Sequence, residues 1–368
     1  MTRRILHVIL RGALFTKGFI MKQFYSDMIQ YRGSHYEFGF WQGKQLRKSF
    51  TVMNRHRQWR LRRPKFHIDL KEAKVAYEMY APGLWAELVG LSDGLQLPLK
   101  DVLRDFGGYR VPIERSGCTT VVTDTYLVRN YDYHPKTYEG RYVLFAPTDN
   151  GYATIGPSQR IVGRMDGMNE HGLSIAYNFM HRKHPGKGFI CHAIGRIILE
   201  QAKDVQEAVA LLKALPHRHS FSYMLVDKSG QKMTVEATPR TVTTHTSPFC
   251  TNHFHKLKAE NRRVLDESIE RLQTIKNYWR RDHTVKDVFS FMNDPQKGVF
   301  VEDYKSWAGT IHTTAYIPEQ LEAWVALGGK KEPEIFSFQT WLNGQNIPIK
   351  KIAGTIRSDV GFMHMGKV

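Results

Sequence analysis

The sequence feature that most constrains the fold is a run of short β-prone segments that begins at Cys118 and continues to Tyr177. Glycine, asparagine and aspartate residues separate these segments, as is typical of antiparallel strands joined by hairpins. After residue 190 the pattern alternates. Apolar residues at helical spacing occupy 190–213, 259–278 and 285–292, and strand-like runs occupy 311–317 and 323–327. Alternation of this kind predicts a sheet-rich, layered α+β sandwich.

The residues upstream of the β-rich region have a different character. Residues 21–117 are predicted to be mainly helical, with breaks at Pro82-Gly83, Gly94 and Pro98. Residues 1–20 are interpreted as an N-terminal extension, because charged residues and Gly12 interrupt their apolar stretch and no clear secretory cleavage site follows. No stretch reaches the ~18 apolar residues of a membrane-spanning helix. We therefore expect no membrane span.

Cysteine content and charge limit the compartment and the partners. The three cysteines, Cys118, Cys191 and Cys250, are too few and odd in number for a disulfide framework, which favours a reducing, cytoplasmic setting. The formal net charge is +18, and Lys44 to Lys74 holds eleven Lys and Arg residues against two acidic ones. That stretch is either a solvated helical face or a surface for an anionic partner. No nucleic-acid-binding motif accompanies it, so we expect no specific nucleic-acid partner.

The pair Gly117-Cys118 stands where the helical pattern gives way to strands. A cysteine in this position can attack the preceding carbonyl, and hydrolysis then frees an α-amine on the same residue. An α-amine has an unperturbed pKa of ~7.7–8.0, so it can act as the general base for its own thiol. The alternative interpretation is a small buried hydrophobic residue.

Four residues downstream are candidates to support such a cysteine. Arg129 could stabilise the thiolate, and Asp132 could accept a hydrogen bond from the ammonium or the thiol of Cys118. The side-chain amides of Asn178 and Asn252 are suitable oxyanion donors. Taken singly, an Arg–Asp pair at this spacing is more often a surface salt bridge than a site, and single asparagines are more often turn or cap residues.

Arg271 is a further candidate cation. It lies three residues after Ser268, on the same face of a predicted helix, and it is either a site residue or part of a surface ion pair. Arg262 and Arg263 are alternatives for the same role. Histidine pairs such as His253 and His255 lack the cysteine–histidine spacing of a structural zinc site, so we expect neither a metal nor a cofactor.

The motifs occur together in an order that is similar to that of the isopenicillin N acyltransferase-like peptidases, relatives of the choloylglycine hydrolases and penicillin V acylases. The resemblance runs from about Arg32 to about Gly329. Its motifs are Gly117-Cys118-Thr119, Arg129-Asn130-Tyr131-Asp132, the stretch from Gly167 to Leu173, Thr251-Asn252-His253-Phe254 and Ser268-x-x-Arg271.

The resemblance implies an N-terminal-nucleophile hydrolase with an αββα sandwich, which cuts itself between Gly117 and Cys118. It implies Cys118 as nucleophile, Arg129 and Asp132 as supporting residues, oxyanion contacts at Asn178 and Asn252, and a site arginine at Arg271. Residues 21–117 would be a pro-segment or small subunit that stays bound to a catalytic chain of residues 118–368. The substrate would be a linear amide or an acyl thioester. The alternative is an inactive binding protein on the same scaffold, with a basic surface for anionic ligands.

Overall fold

The computed structural model describes residues 20–62, 65–111, 117–181, 184–306 and 308–368. The predicted N-terminal extension therefore lies, apart from Ile20, outside the described residues. The α-helices of the described part are α1 (His35–Leu46), α2 (Phe50–Arg62), α3 (Leu70–Tyr80), α4 (Pro82–Leu95), α5 (Leu99–Asp105), α6 (Cys191–Gln201), α7 (Val205–Ala214), α8 (Asp266–Tyr278), α9 (Val285–Met292) and α10 (Phe338–Leu342).

The strands begin before the helices of the upstream segment and end near the C-terminus. They are β1 (Met21–Gly33), β2 (Gly117–Val122), β3 (Leu127–Asp132), β4 (Arg141–Pro147), β5 (Thr154–Gln159), β6 (Gly163–Arg164), β7 (Asp166–Asn169), β8 (Ser174–Phe179), β9 (Phe221–Val226), β10 (Lys232–Ala237), β11 (Val242–His245), β12 (Phe249–Cys250), β13 (Thr310–Ile317), β14 (Glu322–Leu327), β15 (Glu334–Ser337) and β16 (Lys351–Arg357).

Two sheets and two helical layers make up the fold. The larger sheet has the order β11-β10-β9-β8-β7-β5-β4-β1-β16, with β6 paired to β5, and the smaller has the order β12-β2-β3-β13-β14-β15. The sheets pack face to face where β2 and β3 meet β8 and β9. Helices α6 and α7 cover the outer face of the larger sheet, while α8 and α9 cover the smaller one. The predicted αββα sandwich is confirmed.

Alternation of side chains along β2 and β3 sends residues to two different layers. Cys118 and Val122 lie in the apolar core between the sheets, whereas Val121 and Val128 pack with α8 and α9. The nucleophile candidate therefore faces the larger sheet. Its neighbours one position away along the strand face the helices, so the site can draw side chains from both layers.

The upstream segment and the C-terminal tail meet in the larger sheet. The described part of the upstream segment contains helices α1 to α5, but it opens with β1, a strand of thirteen residues. β1 runs parallel to β4 on one side and antiparallel to β16 on the other. The tail after Lys330, which carries no recognisable motif, thus completes the edge of this sheet. Any cut between Gly117 and Cys118 leaves β1 bound between strands of the downstream chain.

The predicted helix over 259–278 is shorter in the structure. Residues Lys258–Glu260 form one 3-10 turn, and α8 begins only at Asp266, where acidic residues in the first turn favour a helix start. Arg262 and Arg263 consequently precede the helix, and the interpretation that placed them on it is wrong. No helix in the described ranges has both the length and the apolar character needed to cross a membrane.

Candidate active site

Cys118 lies at the second position of β2, opposite Tyr131 of β3, and its side chain is fully buried. The guanidinium of Arg129 donates a hydrogen bond from Nη2 to Sγ over 3.1 Å. Burial raises the pKa of the Cys118 thiol above its usual value, and the positive charge of Arg129 opposes this rise. The thiol therefore needs a proton acceptor as well as a cation in order to react.

Arg129 is held rigidly at this position. Its Nη2 also donates to the carbonyl of Tyr177 over 2.6 Å, and its Nη1 donates to the carbonyl of Met165 and to the carboxylate of Asp166. The guanidinium lies 4.9 Å from the ring centre of Tyr131 and 4.7 Å from that of Tyr177. Two aromatic faces and three oxygen acceptors fix the cation beside the thiol.

Asp132 is the carboxylate next to the predicted cleavage point, since it pairs with Gly117 across the β2–β3 ladder. Thr310 donates a hydrogen bond of 2.6 Å to Oδ1, and Arg271 lies 3.5 Å from Oδ2. Oδ2 accepts no hydrogen bond among the described residues. Burial raises the pKa of Asp132 to about 6, against the attraction of Arg271. A carboxylate with this pKa can both take and return a proton near neutral pH.

The two asparagines contact the backbone of Cys118 in different ways. Asn178 donates from Nδ2 to the carbonyls of Cys118, over 3.0 Å, and of Cys250, over 3.2 Å. Asn252 instead accepts the N–H of Cys118 on Oδ1 over 3.1 Å, and its Nδ2 donates to the carbonyl of Phe179. An amide nitrogen carries two hydrogens. Among the described residues, Asn178 uses both of these hydrogens, whereas Asn252 uses only one.

Arg271 reaches the site from α8. Its Nη1 donates to the carbonyl of Cys118 over 2.9 Å and to the hydroxyl of Thr119 over 2.6 Å, while Nη2 donates to Oδ1 of Asn252 over 2.7 Å. Its side chain is buried, so the alternative of an exposed surface ion pair is excluded. Ser268, one turn earlier, accepts the backbone N–H of Asn252 over 2.8 Å and fixes that loop.

The structure thus brings the other five predicted site residues within one or two contacts of Cys118, and the functional roles given to all six stay predictions. Three further residues belong to this contact network but have no role in the sequence-based prediction, namely Asp166, Thr310 and His312. No group of His, Cys, Asp and Glu side chains in the described part of the chain is arranged to hold a metal ion.

Comparison with known proteins identifies the family to which this chain belongs. The sequence profile of the acyl-coenzyme A:6-aminopenicillanic acid acyl-transferase family matches residues 119–332, more than half of the chain. No curated protein matches the chain in sequence.

Among solved structures, penicillin V acylase from Agrobacterium tumefaciens is 15% identical with a TM-score of 0.44, over 61% of this chain and 86% of that one. A mutant of the conjugated bile acid hydrolase from Clostridium perfringens is 13% identical with a TM-score of 0.41, over 67% and 98%. Likenesses of this size carry no argument about activity. The profile match alone shows that the chain belongs to the acyl-coenzyme A:6-aminopenicillanic acid acyl-transferase family.

Proposed function

We propose that the protein is a self-processing cysteine amide hydrolase or acyltransferase whose nucleophile is Cys118. The observation that carries the proposal is the pairing of two groups at one peptide bond. The Arg129 guanidinium lies 3.1 Å from the Cys118 thiol, and the Asp132 carboxylate lies beside Gly117, the residue before the thiol. Cation, proton acceptor and nucleophile converge on the bond between Gly117 and Cys118.

Self-processing would begin with transfer of the thiol proton to Asp132. The thiolate Sγ then attacks the carbonyl carbon of Gly117, and the bond from that carbon to the nitrogen of Cys118 breaks as Asp132 returns the proton to the nitrogen. A thioester between Gly117 and Cys118 results. Water hydrolyses it, which leaves a carboxylate on Gly117 and a free thiol and α-amine on Cys118.

The freed α-amine would inherit the contacts that now hold the peptide nitrogen. In the uncut chain this nitrogen donates to Oδ1 of Asn252, an atom that also accepts from Arg271. These contacts keep the amine near its own thiol, where it can act as general base for the next reaction. The unused N–H of Asn252 makes this residue the better candidate for an oxyanion donor, and Asn178 the better candidate for fixing the backbone of Cys118.

The substrate class follows from the nucleophile. A thiolate on an N-terminal cysteine attacks a linear amide or an acyl thioester, forms an acyl-enzyme on Sγ and releases an amine or a thiol. Water or an amine then takes the acyl group. Membership of the chain in an acyltransferase family supports this substrate class. The three cysteines form no disulfide, which supports a reducing compartment, and we propose the cytoplasm.

The experiment that tests the proposal is intact-mass spectrometry of the purified protein beside two variants. Cys118→Ala removes the proposed nucleophile. Cys191→Ala is the matched control, because Cys191 is another fully buried thiol, which lies at the start of α6 and has no proposed role. The wild type and Cys191→Ala should appear as two fragments split between Gly117 and Cys118, and Cys118→Ala as one chain.

A screen of amides and acyl thioesters on the same three proteins tests the second half of the proposal. Turnover by the wild type and the control, with none by Cys118→Ala, supports it. An uncut wild type whose Cys118 is inert toward alkylating reagents would instead favour a binding protein on this scaffold.

A further inference from the structure

Asp166 lies on the larger sheet, and its carboxylate is buried at the centre of the sandwich, where it accepts hydrogen bonds from residues of the smaller sheet. Thr314 donates to Oδ1 over 3.0 Å and Tyr316 over 2.5 Å, and both residues belong to β13 of the smaller sheet. The ring nitrogen Nε2 of His312, also on β13, lies 3.4 Å from Oδ2. Asp166 itself is the first residue of β7 in the larger sheet.

The fourth partner of Asp166 links this carboxylate to the candidate site. Nη1 of Arg129 donates to Oδ2 over 2.7 Å, while Nη2 of the same guanidinium contacts Sγ of Cys118. Both members of the Asp166–Arg129 pair are completely buried. The planar guanidinium is therefore gripped at one end by a carboxylate and presents its other end to the thiol.

We propose that Asp166 is a positioning residue for the reaction at Cys118, acting by clamping Arg129 in the orientation that places Nη2 against Sγ. This inference rests on the proposed function, since it assigns a role within the same site. His312, Thr314 and Tyr316 form the support that orients the carboxylate.

The residues of β13 leave the Asp166 carboxylate one lone pair with which to bind Arg129. Three donors from β13 occupy Oδ1 and one side of Oδ2, and the remaining lone pair of Oδ2 points to Arg129. Burial lowers the pKa of His312, so this imidazole is neutral and donates its Nε2–H to the carboxylate. The His312 ring also stacks on Tyr131 with a centroid distance of 5.0 Å, and Tyr131 is one of the two rings beside the guanidinium.

A purely electrostatic role for Asp166 makes the opposite prediction. A negative charge beside Arg129 offsets part of the positive charge that the thiolate needs. If charge balance were the whole effect, Asp166→Asn would strengthen the field at Sγ and speed the reaction of Cys118. If positioning dominates, Asp166→Asn lets the guanidinium turn away and slows it, because a misplacement of ~1 Å can cost ~100-fold in rate.

The test measures self-cleavage during cell-free synthesis, as the fraction of cut chain against time, and then kcat and KM of the purified protein with an amide that the wild type hydrolyses. Asp166→Asn is compared with Glu87→Gln. Glu87 also forms a fully buried carboxylate–arginine pair, with Arg196 at 2.9 Å, but neither member of that pair contacts Arg129 or Cys118. The control therefore reports the cost of losing a buried charge alone.

We expect Asp166→Asn to slow self-cleavage and to lower kcat at least tenfold per folded molecule, with KM nearly unchanged, while Glu87→Gln alters neither rate. Tyr316→Phe, which keeps the carboxylate but removes one of its donors, should give a smaller loss in the same direction. It serves as the second variant if Asp166→Asn does not fold.

Equal or faster reaction in both Asp166→Asn and Tyr316→Phe, measured per folded molecule, would overturn the inference. A wild type that neither cuts itself nor turns over amides would contradict the proposed function instead, so the two failures are distinct.

Discussion

The carboxylate of Asp132 lies directly against Gly117 across the β2–β3 pair, with Oδ2 only 3.1 Å from the point where a Cβ on Gly117 would stand. Glycine is thus the one residue that gives the carboxylate free access to the backbone before Cys118. The contact gives a chemical reason for a glycine at this position, because any side chain here would compete with the proposed proton acceptor for the same space.

Gly117→Ala should slow self-cleavage by about tenfold while leaving the fold intact. The added methyl group pushes Asp132 away by a few tenths of an ångström, which misaligns proton transfer. The fraction of cut chain over time, measured by intact mass, checks this. Gly366→Ala is the control, because a Cβ at Gly366 meets no atom within 4 Å. Cleavage of Gly117→Ala at the control rate would contradict the proposed part of Asp132.

The rate of self-cleavage should rise with pH through a midpoint near 6. Asp132 must be ionised to accept the thiol proton, and burial raises its pKa to about 6, so the active carboxylate form grows as pH passes that value. Arg271, Arg129 and the Cys118 thiol face this carboxylate, and burial raises the pKa of the thiol, which therefore stays protonated over that range. Uncut precursor held at pH 4.5 and moved to buffers between pH 5 and 8 gives the profile, and Asp132→Asn should lose the step near pH 6.

The raised pKa of Asp132 also predicts a cost in stability. Between about pH 4 and 6 the native state holds a proton that the unfolded chain has lost, so the free energy of unfolding falls as pH rises through this window. Asp132→Asn lacks this titration. In an uncut Cys118→Ala background, its free energy of unfolding relative to that of the parent should therefore rise by about 2 kcal/mol between pH 4 and pH 7.

Asp166 provides the contrast to this prediction. Its pKa is lowered to about 2 by hydrogen bonds from His312 and the charge of Arg129, which outweigh burial. Its contribution to stability is present above the usual carboxyl pKa and is lost as pH falls toward 2. Asp166→Asn should lower the free energy of unfolding more at pH 7 than at pH 3. The pH dependence of this effect is opposite in sign to that expected for Asp132→Asn. Urea unfolding at each pH measures both, and equal shifts of one sign would contradict the assignment of the two carboxylates.

Much of this arrangement was predictable from local sequence signals. The β-prone run after Cys118 and the alternating runs beyond residue 190 were enough for a layered α+β sandwich, because hydrophobic periodicity is a local property. The αββα order of the layers was an expectation from the family resemblance. Five of the six candidate residues lie in short motifs that occur in order, and Asn178 lies in the strand that follows one of these motifs. The close approach of Asn252 and Arg271 to Cys118 could not be derived from spacing alone, since more than 130 residues separate each from the cysteine.

The parts that were not predicted depend on long-range pairing. The antiparallel pairing of β1 with β16 joins segments that are more than 300 residues apart, and the β16 segment carries no motif. Likewise, the clamp on Arg129 needs Asp166 from one sheet and His312 from the other. A sequence pattern gives the face on which each residue lies, but only the packed sheets show which faces meet.

Asn252→Ala should lower kcat by about 10²–10³-fold with little change in KM, whereas Asn178→Ala should mainly reduce stability. Asn252 keeps one side-chain N–H that no described residue accepts, so this N–H can donate to a developing oxyanion, and loss of one such donor has costs of this size. Asn178 spends both hydrogens on the carbonyls of Cys118 and Cys250, which ties β2 and β12 to β8. Steady-state kinetics and thermal unfolding of both variants measure the difference. A larger kcat loss in Asn178→Ala would reverse the two assignments.

The buried ion pair between Glu87 of α4 and Arg196 of α6 predicts how the fragments hold together after cleavage. It spans the proposed cut, since Glu87 lies upstream of Gly117 and Arg196 downstream, and both side chains are fully buried. Gln42 of α1 adds a hydrogen bond of 2.8 Å to the same carboxylate. Glu200 also pairs with Arg196, so loss of the Glu87 carboxylate leaves one partner on the buried guanidinium and should cost less than the ~3–5 kcal/mol of a fully unpaired buried charge. Glu87→Gln should therefore release the upstream fragment from the cut protein at urea concentrations that leave the wild type associated, as measured by size-exclusion chromatography.

The exposed pair Lys203–Glu207 gives the control, because Glu207→Gln removes a carboxylate from the surface, where such pairs contribute little. Release at the same urea concentration in all three proteins would mean that β1, held between β4 and β16, retains the fragment without help from the ion pair.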